Sequence, residues 1–163
     1  MRMTQPDFIN DTCKEYEDQL PKRDCRTPMQ PGEFLYINKG DDKEDEHKLY
    51  LKKGYQALAG SLLWAVRNTY PDAMYAVTQM CRLMSKPTSE SWTIGLKTLK
   101  YMQHNVTRGI KFRSDGNDKP LCYYDSSNKA DPNDSKSQWG YVIFLFNGPV
   151  SYTHLTLPTK RIV

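Results

Sequence analysis

No apolar run in this chain approaches the length of a membrane-spanning helix, and the polar first residues contain no apolar leader core. Neither a membrane partner nor a secretory signal is therefore expected, and the chain reads as intracellular, cytoplasmic or nuclear. The four cysteines, Cys13, Cys25, Cys81 and Cys122, include no C-x-x-C pair. That spacing indicates neither a zinc site nor a disulfide framework, and leaves free thiols in a reducing compartment. His47, His104 and His154 stand apart from any cysteine pair, so no structural metal is expected. A glycine-rich phosphate loop, a nucleophile elbow and a Tyr-x-Asp-Asp sequence are all missing. The neighbouring carboxylates Asp41 and Asp42 lie in an acidic run after Lys39-Gly40, where nothing fixes their geometry. A solvated charge run is the better reading.

What is present is an ordinary globular composition. Of 163 residues, 26% are charged and 38% hydrophobic, enough for one core or two partial ones. A net charge of +4 permits a nucleic-acid partner without requiring one. Three helical patterns with short connections fill residues 55–101. Tyr55, Leu58, Leu62 and Ala65 recur at three- and four-residue steps and share one face. The second pattern opens at Tyr70-Pro71-Asp72, where proline tolerates the first turn and the aspartate suits the helix dipole. Its face is Met74, Val77, Cys81 and Met84. The third follows Pro87 with Thr88 as N-cap and buries Trp92, Leu96, Leu99 and Met102. Short connections predict a packed bundle. Arg108-Gly109 is expected to end the last helix.

Before the bundle, Phe8, Ile9, Cys13 and Tyr16 lie at helical steps, and residues 35–54 read as an acidic linker. After it, residues 110–112 read as a short strand, Ser114-Asp115-Gly116-Asn117-Asp118 as a turn, and 121–124 and 140–146 as strands separated by a polar loop. On the third helix Lys97, Lys100 and His104 fall within one narrow arc, with Arg108, Lys111 and Arg113 following directly. Such cations either track a phosphate backbone or form a solvated face.

The literal residues YQALAGSLLWAVRNTYPDAMYAV, RLMSKPTSESW, LKTLKYM and GIKF, in that order, resemble the segment after the polymerase palm in copia-type retrotransposon Pol polyproteins. Residues 121–151 look like the start of the ribonuclease H domain that follows there, and the resemblance extends upstream through Arg26-Thr27-Pro28-Met29. It departs from the family at Tyr70, where arginine is usual, and at Ser91, where histidine commonly precedes the tryptophan. The resemblance implies an α+β chain. Residues 1–34 end the palm and enter the thumb, 35–54 are linker, 55–109 are a helical thumb or connection, and 110–150 begin an incomplete ribonuclease H-like domain of antiparallel strands.

The parent activity so implied is RNA-directed DNA synthesis with cleavage of the RNA of a hybrid, both using magnesium. The implied partners are an RNA–DNA hybrid or template–primer duplex and the remainder of the polyprotein. Asp125, ahead of Gly140-Tyr141 by the family's separation, is the carry-over for a catalytic, metal-holding carboxylate. The match there is partial, with Ser127, Asn128 and Trp139 standing at positions of the local motif. One carboxylate cannot hold two magnesium ions, and Asp131 and Asp134 fall where the family has non-catalytic polar residues. The segment itself is therefore expected to be catalytically inactive and to bind no magnesium tightly. The alternatives are a non-enzymatic nucleic-acid-binding remnant, or a helical interaction module with an adaptable surface of Met74, Met80 and Met84. Residues 151–163, SYTHLTLPTKRIV, resemble the in-frame translation of a sequencing-library adapter. Their alternation also fits a third strand.

Overall fold

A computed structural model describes residues 1–36, 44–113, 119–128, 131 and 135–157, with backbone only for 154–157. The elements are β1 (Arg2–Met3), α1 (Pro6–Glu15), α2 (Glu44–Lys52), α3 (Tyr55–Asn68), α4 (Met74–Arg82), α5 (Ser89–His104), β2 (Ile110–Lys111), β3 (Leu121–Ser127), β4 (Ser137–Leu145) and β5 (Gly148–Leu157). The chain is α+β, as expected, and divides into two units: Thr4–Gly109, and Met1–Met3 with Ile110–Val163.

The helical unit is built on the three patterns read from the sequence. Leu58, Leu62 and Ala65 of α3, Val77 and Met80 of α4, and Trp92, Leu96, Leu99 and Met102 of α5 are all buried. A Cβ placed on Gly95 would lie 2.6 Å from Met80 Cε and 3.0 Å from Leu58 Cδ2. Glycine there lets α5 lie close against α3 and α4. Trp92 is ringed by Tyr16, Tyr50 and Tyr55, with ring centroids 6.0, 6.0 and 6.4 Å away. Those tyrosines come from the end of α1, α2 and α3, so one indole ties most of the unit together.

The expected cap of α5 is present and doubled. Thr88 Oγ1 accepts from the Ser91 N–H at 3.2 Å, and Ser91 Oγ accepts from the Thr88 N–H at 2.9 Å. Ser91 thus completes a capping box. Thr88→Ala should lower the unfolding free energy of this unit by about 1 kcal/mol in urea titration. An unchanged midpoint would remove the cap from the account. Tyr70 is buried and donates to the Asn105 carbonyl at 3.2 Å just beyond α5.

Three expectations for this unit need correction. The span read as linker contains helix α2. His47 Nδ1 lies 2.8 Å from the Pro87 carbonyl, Glu46 accepts from the Ser89 N–H at 2.9 Å, and Tyr50 packs on Trp92. These tertiary contacts hold a helix that apolar periodicity does not announce. Residues 37–43, including Asp41 and Asp42, lie outside the described residues. α4 ends at Arg82, leaving Cys81 and Met84 half-buried, while Ala76 and Met80 complete its inner face. Helix α5 ends at His104, before Arg108-Gly109.

In the second unit β1 and β2 pair antiparallel, Arg2 opposite Lys111 and Met3 opposite Ile110. The Met1 ammonium donates to the Phe112 carbonyl at 3.0 Å, and the Phe112 N–H donates to the Met1 carbonyl at 2.9 Å. β3, β4 and β5 form a three-stranded antiparallel sheet in that order. Both strands flanking the polar loop run longer than the residue pattern suggests. Ser126, Ser127 and Gln138 are polar, yet ladder pairing needs only their backbone, and they extend it. Residues 151–157, part of the span read as an adapter translation, lie in β5 and pair with β4, the third-strand alternative. Residues 158–163 and the 114–118 turn lie outside the described residues.

Candidate nucleic-acid interface

Helix α5 presents its outer arc through residues separated by three and four positions, roughly 100° per residue. Lys97 is exposed there and has no partner among the described residues. Lys100, one turn on, is half-buried and donates to Gln103 Oε1 at 3.0 Å. His104 lies 3.5 Å from Asp24. Lys100 also faces α1, where burial pushes the Cys13 thiol up to about 11 against the opposing charge of Lys100. Cys13 is thus a protonated core thiol at neutral pH.

Arg108 is differently engaged. Its guanidinium donates to Tyr101 Oη at 3.0 Å and lies 3.7 Å from the Asp72 carboxylate. Tyr101 donates its phenol to the same carboxylate. Burial first, and Asp72 second, push the Tyr101 phenol up to about 12. The cluster pins the residues after α5 to the start of α4, and it occupies Arg108 with a protein carboxylate. Lys97, Lys100 and Arg108 belong to the helical unit; Lys111 and Arg113 are exposed residues of the second unit. Lys111 stands opposite Arg2, and the Arg113 N–H donates to the Phe146 carbonyl at 2.9 Å.

Asp125 sits within β3, two residues before its end, directly opposite Gly140. It is exposed, and its Oδ1 accepts from the Ser126 N–H at 2.8 Å. Among the described residues no three His, Cys, Asp or Glu side chains converge as a metal site would require. Asp131 is buried, and its N–H donates to the Lys136 carbonyl at 3.2 Å. Asp134 lies outside the described residues. The described carboxylates therefore do not fit a two-ion centre.

Met74 and Met80 are buried and Met84 is half-buried, so they do not form the exposed methionine surface of an interaction module. No helix among the described residues is long and apolar enough to cross a membrane.

In sequence, the chain is similar to retrovirus-related Pol polyproteins of transposons. Two such relatives are retrovirus-related Pol polyproteins of Arabidopsis thaliana, from transposons RE2 and RE1. They are 28% and 30% identical over 137 residues, 83% of this chain. The chain spans 9% of the length of each. A third relative, secreted RxLR effector protein 161 of Plasmopara viticola, is 29% identical over 98 residues, which is 60% of this chain and 69% of that protein. No protein-family profile and no solved structure matches the chain.

Proposed function

We infer that this chain is the part of a retrotransposon Pol polyprotein that follows the polymerase palm. The helical unit serves as thumb or connection, and β3 to β5 open the ribonuclease H-like domain. The parent would make DNA on an RNA template and cleave the RNA of the resulting hybrid. This segment contributes duplex binding without chemistry of its own. The observation that carries the reading is similarity to Pol polyproteins over 83% of the chain.

In the helical unit, Lys97 and Lys100 are the residues best placed to meet a phosphate backbone. They share one arc of a helix held rigid by its cap and by Trp92. Phosphate contacts of this kind give affinity without base readout. Arg108 is held back by Asp72 and Tyr101 and ranks below them. Lys111 and Arg113 are the corresponding cations of the second unit. Magnesium in the parent would supply the Lewis acid for both reactions. Asp125 is the carboxylate here that the family pattern offers to it. Because the described donors do not make a two-ion site, no hydrolytic step is assigned to this chain.

The test is fluorescence anisotropy with a labelled RNA–DNA hybrid. Replacing both Lys97 and Lys100 by glutamine should weaken binding at low salt by about tenfold or more, irrespective of sequence. Unchanged affinity would remove α5 from the interface. A second reading, a short binding protein without a polymerase parent, draws on the Plasmopara relative, matched over 69% of its length. Absence of any duplex binding by the folded chain would favour it.

A further inference from the structure

Charge is unevenly distributed over the first part of the helical unit. Residues 4–19, which hold α1, carry Asp7, Asp11, Glu15, Glu17 and Asp18 against Lys14 alone. Residues 20–30 reverse the sign, with Lys22, Arg23 and Arg26 against Asp24 alone. Lys14 is tied to Asp11 at 2.8 Å. The three later cations are exposed and have no side-chain partner among the described residues. Proline and local hydrogen bonds restrict the segment that carries them. Leu20 is extended ahead of Pro21, with φ −64° and ψ 143°, and Pro28 biases Thr27 the same way. The Gln30 side-chain amide donates to Thr27 Oγ1 at 3.4 Å, and the Gln30 backbone N–H donates to the Glu33 carboxylate at 2.9 Å.

The same segment lies against the outer arc of α5. His104, within the arc, is 3.5 Å from an Asp24 carboxylate oxygen. The Thr98 hydroxyl, roughly 100° round the helix from Lys97, lies 3.5 Å from the Pro28 carbonyl oxygen. Arg23 adjoins the first of these contacts. Arg26 stands midway between the two, two residues and so about 7 Å of chain from each. We propose that Lys22, Arg23 and Arg26 form a second row of phosphate contacts beside Lys97 and Lys100. A duplex backbone is then held by a loop and a helix together. The proposal rests on the duplex-binding reading and extends it to a segment that has no helical spacing to reveal it.

Asp24 acts in the opposite sense. Its exposed carboxylate stands among these cations, where it repels phosphate and lowers the affinity they would otherwise give. Its pair with His104 is exposed on both sides, so it contributes little to the fold. The five carboxylates of residues 4–19 are exposed as well and set a boundary. A backbone crossing α5 is attracted along residues 22–26 and turned away from α1.

Fluorescence anisotropy of the full chain with a labelled RNA–DNA hybrid tests this. Replacing Lys22, Arg23 and Arg26 together by glutamine should weaken binding about thirtyfold at low salt. It should also make the salt slope shallower by about three, close to one for each contact removed. Asp24→Asn should instead tighten binding about threefold, a gain that no folding defect can produce. The outcomes separate this proposal from the reading beneath it. A wild-type chain that does not bind the hybrid overturns both. Steep, salt-sensitive binding that survives the triple replacement, or that Asp24→Asn fails to tighten, overturns the proposal and leaves the reading standing. Binding lost in the triple variant but kept when Lys97 and Lys100 are replaced would retain the segment and remove α5 from the interface.

Discussion

Trp92→Ala should cost the helical unit about 3–5 kcal/mol, the cost typical of truncating a buried indole. Trp92 is 5% exposed and contacts tyrosines from three parts of the unit. Truncation leaves a cavity lined by rings that cannot collapse together, because each is anchored in a different element. A loss of that size is a large share of the stability of a domain of ordinary size, so the variant should be largely unfolded at moderate urea. Trp64→Ala is the matched control. Trp64 is 59% exposed on the outer side of α3, and its removal should move the urea midpoint little. Equal losses at the two positions would show that Trp92 does not organise the bundle.

The helical unit should also lose stability on the alkaline side. Burial raises the Cys13 thiol from 9.0 to about 11. It raises the phenols of Tyr55, Tyr70 and Tyr101 from 10.0 to about 12 each. A group whose folded value is raised binds its proton more tightly in the folded than in the unfolded chain. Its contribution is fully present below the unfolded value and is lost as pH rises through the folded one. The four groups lie in one core, so their losses fall in a common window, from about pH 9 to about pH 12. Urea midpoints should be flat below this window and fall steeply within it, with phenolate absorbance appearing as the unit opens. A midpoint that stays level to pH 12 would mean these phenols and the thiol are not held protonated by the fold.

The bundle was legible because its signals are local and redundant. Leu58, Leu62 and Ala65 repeat at helical steps, Pro71-Asp72 marks a start, and Thr88 marks a cap. Each is a short-range preference that the packing then uses. Helix α2 was less legible because its stability is tertiary: His47 on Pro87, Glu46 on Ser89 and Tyr50 on Trp92 all join residues distant in sequence. A signal was nevertheless there. Glu44, Asp45 and Glu46 followed by Lys52 place charge correctly for a helix dipole, and Glu44 pairs with Lys48 at 2.9 Å. Lys97 and Lys100 were visible as one arc from spacing alone. That Arg108 is tied to Asp72 was not, since the two residues lie on separate elements joined only by folding. The β1–β2 pair was likewise beyond reach, a two-residue ladder between segments far apart in sequence, Arg2–Met3 and Ile110–Lys111.

The most direct measurement of the central claim is the salt dependence of RNA–DNA hybrid binding by this chain. Counterion release at lysine contacts makes the logarithm of affinity fall linearly with the logarithm of salt concentration. The wild-type chain should show a steep slope. Neutralising Lys97 and Lys100 should make it shallower by about two, close to one for each phosphate contact removed. Binding that ignores salt, or a slope unchanged in the double variant, would contradict the assignment of α5 as a phosphate-tracking helix.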